Sequence, residues 1–171
     1  MAIRKIVTKE DPALYKHCRE VTDFSPRLHQ LLDDMKETLA EVNGAGLAAP
    51  QVGVLRRAVI VLETNVPDGE SEYMIELINP EIVETSGEQD GPEGCLSVPG
   101  EYGIVNRPLH VRVKAMDRFG KPFEVSGEGL TARAFCHEID HLEGVIFTSL
   151  AERMLTDEEL ESGRYADNEA G

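Results

Sequence analysis

Positive charge is scarce in this chain. Its 171 residues carry 17 Lys and Arg against 32 Asp and Glu, a formal net charge of −15. Tight, non-specific hold on a phosphate backbone needs clustered cations. Direct nucleic-acid binding is therefore not expected, although a local basic patch is compatible with the balance. Long apolar runs are also missing. Nothing approaches the length of a membrane span, and no apolar stretch follows Met1-Ala2-Ile3-Arg4-Lys5-Ile6 as a signal peptide would require. No membrane association is expected. Cysteine is sparse: Cys18, Cys95 and Cys136 are odd in number and lack framework spacing, which points to reduced thiols in a cytoplasmic protein. Repeats and linkers are absent too. With 41% hydrophobic residues, the length fits one domain with a real core.

Periodicity supplies the elements. Asp11-Pro12-Ala13-Leu14-Tyr15 reads as a turn into a short packed segment. Ser25 is placed to cap a helix with Pro26 in its first turn. Leu28, Leu31, Leu32, Met35, Leu39 and Val42 then recur at helical spacing before Asn43-Gly44, predicting a helix over 26–43. The stretch 44–51, Gly-Ala-Gly-Leu-Ala-Ala-Pro-Gln, is small and interrupted, and such residues let a backbone approach something closely. Residues 58–62 and 73–78 read as strands, with Asn79-Pro80 breaking the second and residues 81–84 able to continue the sheet. Residues 91–100 read as a loop. From Leu109 to Met116 apolar and polar residues alternate, as in a half-buried strand. Arg118-Phe119-Gly120-Lys121 turns the chain back into Pro122–Val125. Thr131 is expected to cap a last long helix and Gly144 to end it, and Thr156 with Glu159 forms a capping box. Strands between two segregated helices indicate an α+β fold with mainly antiparallel sheet.

That last helix carries His137-Glu138-Ile139-Asp140-His141. Residues four apart share a helix face, so the two imidazoles can address one metal ion, with Glu138 beside them to handle a water's proton. The bland alternative is an exposed helix with solvated His and Glu. A third ligand decides between enzyme types. In the metzincin pattern Gly144 falls on the family glycine, but Phe147 stands where a histidine is required. Glu158, Glu159 and Glu161 are available to a thermolysin-like site, yet they lie in a polar terminal segment. Upstream, Cys95 sits in Glu93-Gly94-Cys95-Leu96-Ser97, where flanking glycines let the backbone bring a thiolate to the helix. Cys136 points about 100° away from its neighbour His137, and Cys18 reads as a small buried hydrophobe. Cys95, His137 and His141 make three protein ligands with one open position, the catalytic arrangement. A zinc peptidase and a non-catalytic metal-stabilised module are the rivals. Phe147 opposes the first and the presence of Glu138 the second.

Three segments together resemble the peptide deformylases. Gly44-Ala45-Gly46-Leu47-Ala48-Ala49-Pro50-Gln51 is similar to their G-x-G-x-A-A-x-Q. Glu93-Gly94-Cys95-Leu96-Ser97 is their E-G-C-L-S, and residues 137–141 are their H-E-x-D-H. Asp11-Pro12-x-Leu14 resembles the family's opening, and the likeness spans about residues 3–150. Cys136 stands where the family commonly has Gln, and Ala45 where it often has Ile or Val.

The resemblance implies mainly antiparallel sheets packed around a central helix carrying the H-E-x-D-H motif, with an N-terminal helix. Residues 1–150 would form a single catalytic domain and 151–171 an acidic tail with a short helical turn. The implied reaction is hydrolysis of the N-formyl group from the formylmethionine of nascent proteins. Cys95, His137 and His141 would hold a divalent metal, natively Fe(2+), replaceable by Zn(2+), Ni(2+) or Co(2+); sulfur and imidazole alone favour zinc by affinity. Glu138 would carry the proton, and the Gln51 amide and Leu96 N–H would stabilise the oxyanion. Gln51 read alone is a loop-end residue bonding backbone. Ala45, Gly46 and Gly94 would contact the peptide, and Leu130, Ala134 and the stem of Arg133 would form the methionine pocket. Asp140 would pair with Arg107, its alternative being a solvated surface carboxylate. His17, His29 and His110 read as ordinary surface or half-buried residues. The expected partners are N-formylmethionyl peptides and nascent chains, and any transient ribosome contact is not expected through the acidic tail.

From Glu152 onward the chain has seven Asp and Glu against two Arg, so this segment should not dock on ribosomal RNA. Deleting residues 152–171 should leave co-sedimentation with ribosomes unchanged at low and high salt. A salt-sensitive association that the deletion abolishes would contradict this.

Overall fold

The computed structural model describes residues 2–163. Two long helices, α1 (Pro26–Val42) and α2 (Leu130–Leu142), and a short α3 (Asp157–Ser162) accompany eight strands. Strands β1 (Gly46–Ala48), β2 (Ala58–Glu63), β3 (Tyr73–Ser86), β6 (His110–Met116) and β7 (Pro122–Glu128) form one sheet in the order β1-β2-β3-β6-β7. Strands β4 (Gln89–Cys95), β5 (Val98–Arg107) and β8 (Arg153–Met154) form a second in the order β4-β5-β8. All pairings within both sheets are antiparallel. The α+β expectation holds.

The larger sheet is covered on both faces, and β2 shows why its sequence is continuously apolar. Ala58 and Ile60 pack towards α1 with Leu28, Leu32, Met35 and Leu39. Val59 and Val61 pack with Phe135, Ala132 and Leu142 of α2. A third cluster, built on Leu14, Val98, Val105, Ile146 and Phe147, underlies the smaller sheet. Helix α2 contacts strands of both sheets, including β1, β2, β5 and β7, so it lies between them. Ten of its thirteen residues are buried, polar ones included. A helix that is buried nearly all round needs partners for its polar side chains, and those partners make the site described below.

Several local expectations are corrected. Residues 91–100 are not a loop but the β4–β5 hairpin, with a register shift between Gly94 and Cys95. Pro92 is tolerated because β4 is an edge strand, where a missing N–H breaks no ladder. Asn79-Pro80 does not break β3; residues 81–84 do continue the sheet, in one strand that runs on to Ser86 through a bulge. Asn79 adopts φ +51 and its side-chain amide bonds both the N–H and the C=O of Val21, replacing the lost ladder contacts. Thr131 is not the cap of α2. The cap position falls two residues earlier, on Gly129, and the Thr131 hydroxyl donates to Glu63 instead. Ser25 occupies the cap position of α1 without a side-chain bond. The Thr156–Glu159 capping box does form. Strand β8 lies beyond residue 150 and pairs with β5, so the expected boundary at 150 falls inside the smaller sheet. Of the acidic tail, residues 164–171 lie outside the described residues. Among the described residues no helix is long and apolar enough to cross a membrane.

Phe135 is fully buried between α2 and the larger sheet, and a Cβ on Gly127 would touch its ring. Truncation leaves a large void against β-structure that cannot collapse. Phe135→Ala should destabilise the fold by about 3–5 kcal/mol in denaturant titration. A loss below about 1 kcal/mol would show that the α2–sheet contact is not a main source of stability.

Candidate active site

One turn of α2 separates His137 from His141 and places their Nε2 atoms 3.3 Å apart. Cys95, at the end of β4, brings its Sγ to 3.3 Å from His141 Nε2. One ligand atom from each residue lies within 4.8 Å of the others. A tetrahedral ion with bonds of about 2.0–2.3 Å requires ligand–ligand edges of about 3.3–3.8 Å, so the donor set fits such an ion. Among the described residues this is the sole cluster of the kind. Burial, and next the His137 charge, press the His141 imidazole down to about 3. It is therefore neutral, as a metal ligand must be.

Glu138 is buried against this cluster. Burial pushes its carboxyl up to about 7, and its Oε1 has no hydrogen-bond partner. A carboxylate with an idle acceptor and a pKa near neutrality is suited to moving a proton. Gly46 makes room for it: a methyl group there would stand 2.6 Å from Glu138 Oε2. Gln51 closes the other side. Its Oε1 accepts from the Ala48 N–H at 2.9 Å, which turns its amide nitrogen towards Cys95 Sγ at 3.6 Å and Ser97 Oγ at 3.1 Å. The loop-end bonding and the aim at the thiol thus coexist in one side chain.

Behind the histidines lies a buried ionic network. Glu93 accepts from His137 Nδ1 at 2.6 Å, from Arg107 Nε and Nη2 at 3.0 and 2.7 Å, and from Arg133 Nη1 at 2.9 Å. Burial alone would raise the Glu93 carboxyl, but the bonds from His137 and Arg107 overturn that and hold it at about 2. Arg107 Nη1 also reaches Asp140 Oδ2 at 2.8 Å. Asp140 is therefore paired rather than solvated, as one of its two readings had it. Glu93 is what sequence reasoning missed. It stood inside a recognised motif with no role, and only the pairing of β4 with β5 brings Arg107 beside it. Ser97 and Tyr102 were missed as well.

The cleft in front of the cluster has a volume of about 490 Å³. Ala45, Gly46, Gln51, Gly94, Cys95, Leu96, Leu130, Arg133, Ala134, His137 and Glu138 all line it, together with Tyr102 and Pro99. Every expected peptide contact is thus on its wall. A side chain at Gly94 would collide with the Tyr102 ring. The edge strands β1 and β4 both border the cleft.

The residues set aside as ligands have other surroundings. Phe147 is buried and stacks on His137, with ring centroids 6.1 Å apart. Cys136 faces the core, and burial pushes its thiol up to about 11, as it does for Cys18. His29 bonds the Arg118 carbonyl, while His17 and His110 lie exposed beside Glu143 and Glu128.

The family model described as polypeptide deformylase matches residues 3–156. The chain belongs to this family. It is 53% identical to a peptide deformylase of Caldicellulosiruptor bescii, over 96% of this chain and 95% of that one. It is 48% identical to peptide deformylase 1 of Bacillus subtilis, over 94% and 97%. Crystal structures of deformylases from Legionella pneumophila (43% identity, TM-score 0.80, 99% and 96% covered) and Thermotoga maritima (35%, 0.80, 89% and 99%) share the fold. As a member of the deformylase family the chain is an enzyme, and the three motifs that carry the resemblance are the segments that converge on this cleft.

Glu93 fixes the ring orientation of one candidate ligand. Glu93→Gln should weaken metal retention about 10–100-fold in chelator competition, with a lowered melting temperature, because Arg107 and Arg133 lose their shared counter-charge. Unchanged retention would mean that His137 needs no such orientation.

Proposed function

We propose that the chain removes the N-formyl group from formylmethionine at the start of nascent proteins and releases formate. The convergence of the Cys95, His137 and His141 donors with the partnerless Glu138 carboxylate and the Gln51 amide carries this reading. Cys95, His137 and His141 hold one divalent metal. The family resemblance points to Fe(2+) as the native ion, with Zn(2+), Ni(2+) or Co(2+) as replacements that suit the same thiolate and imidazoles. When bound, such an ion supplies Lewis acidity, making a water nucleophilic near neutral pH.

The chain's own residues do the rest. Glu138 takes the proton of the attacking water. The oxygen adds to the formyl carbon, and the displaced carbonyl electrons become an oxyanion. The Gln51 amide and the Leu96 N–H donate to that oxyanion. Collapse breaks the C–N bond, Glu138 returns its proton to the leaving amine, and formate departs. Ala45, Gly46 and Gly94 offer backbone groups along the cleft, so that the substrate peptide lies as an added strand. Leu130, Ala134 and the aliphatic stem of Arg133 receive the methionine side chain, the Arg133 head being held away by Glu93. Arg107 and Asp140 fix α2 against the Cys95 hairpin. Residues 1–150, with the β8 segment added, make one catalytic domain. The setting is the cytoplasm, with contact to the ribosome transient and independent of the tail.

Formate release from a formyl-Met dipeptide tests the reading. The metal-loaded wild type should turn over, Glu138→Ala should lose about 10²–10⁴-fold in kcat, and Gln51→Ala about 10²–10³-fold. Cys95→Ala should lose metal in elemental analysis. No release by the metal-loaded wild type would overturn the function, and full metal occupancy in Cys95→Ala would overturn the ligand set.

A further inference from the structure

A second cleft, of about 830 Å³, lies between residues 19–25, the first turns of α1 and residues 53–56, and shares no wall with the active-site cleft. Four arginines line it, Arg4, Arg19, Arg27 and Arg56, against two carboxylates, Glu20 and Asp23. Arg4 is neutralised by Asp34 at 2.9 Å. Among the described residues no acidic side chain pairs with Arg19, Arg27 or Arg56, whereas the adjacent Arg57 takes Glu143 at 2.6 Å. Arg19 and Arg56 are direct partners in a parallel β-bridge. The Arg19 N–H donates to the Leu55 carbonyl at 3.1 Å, and the Arg57 N–H to the Arg19 carbonyl at 3.0 Å. The backbone therefore holds two guanidinium stems side by side.

Neighbouring like charges without a counter-ion repel. Planar guanidinium forks match phosphate oxygens two at a time. Between the arginines the wall is apolar: Val21 and Leu28 are buried, and Val54 and Leu55 are half-buried. A ligand that suits both surfaces has a phosphate end and a flat, weakly polar body. A long polyanion suits less well. Its charges extend past the cleft by more than the Debye length of about 8 Å and meet a surface of net negative charge.

We propose that this cleft binds a small phosphate ester of nucleotide size, with Arg19 and Arg56 clamping the phosphate and Arg27 at the rim. Calorimetric titration of the metal-loaded full chain with ADP, inorganic phosphate and a short RNA oligomer tests it. ADP should bind saturably, more tightly than inorganic phosphate, and more weakly as salt is raised. Arg19→Ala/Arg56→Ala should cut ADP affinity about tenfold or more, while leaving formate release from a formyl-Met dipeptide unchanged, which also certifies the variant's fold. Arg19→Lys/Arg56→Lys should retain part of the affinity. Absence of ADP binding, equal binding by the alanine variant, or preference for the RNA oligomer over ADP would each overturn the proposal.

Discussion

Removing the Glu93 carboxylate would leave His137, Arg107 and Arg133 without a shared acceptor. It is buried, and it receives four hydrogen bonds from those three side chains. It stands on β4, Arg107 on β5, and Arg133 and His137 on α2, so one side chain joins the smaller sheet to the central helix. The charges balance: two carboxylates, Glu93 and Asp140, face two guanidiniums, Arg107 and Arg133. His137 donates from its Nδ1 into the same ionised carboxylate. Such buried networks add little net stability over apolar packing. Their effect here is positional, because each partner left alone would be a buried unpaired charge.

Geometry follows from that tie. The helix contributes two donors with the rigidity of a single turn, and the third comes from the smaller sheet. Cys95 ends β4 at the register shift of the hairpin, a place where a strand can re-aim a side chain. Gln51 arrives from the other sheet, just after β1, and its amide points at the same thiol. The cleft thus gathers residues from both sheets around α2. Its chemistry depends on how those sheets sit against one helix, more than on any single loop.

The convergence of Cys95, His137 and His141 was legible in the sequence because each piece carries a local signal: a four-residue spacing, glycines around a cysteine, a phenylalanine in place of a histidine. The helix α1 was legible from period alone, and β2 from its continuous apolar run. The hairpin at 89–107 was not, since Pro92, Gly94, Pro99 and Gly100 resemble a loop, although the first two lie on the edge strand β4 and the last two at the start of β5. Asn79-Pro80 likewise reads as a break, and only the Val21 backbone opposite makes Asn79 a continuation. Glu93 escaped for a different reason. Its importance is a property of residues 14, 40 and 44 positions away in the chain, and no local pattern encodes that meeting.

Charge allocation ties these observations together. Of the sixteen Lys and Arg among the described residues, nine make ion pairs. Arg107 and Arg133 serve the site, Arg118 joins the β6–β7 turn to Asp33 of α1 and Glu76 of β3, and Arg57 pairs with Glu143 just past α2. Each of these arginines links segments distant in sequence, so pairing doubles as architecture. Arg19 and Arg56 depart from that pattern. Their backbones are fastened together by hydrogen bonds that need no side chain, and their guanidiniums hold nothing acidic. A charge that the fold does not consume internally, set beside an apolar wall in a chain otherwise rich in anions, remains available to something outside the chain.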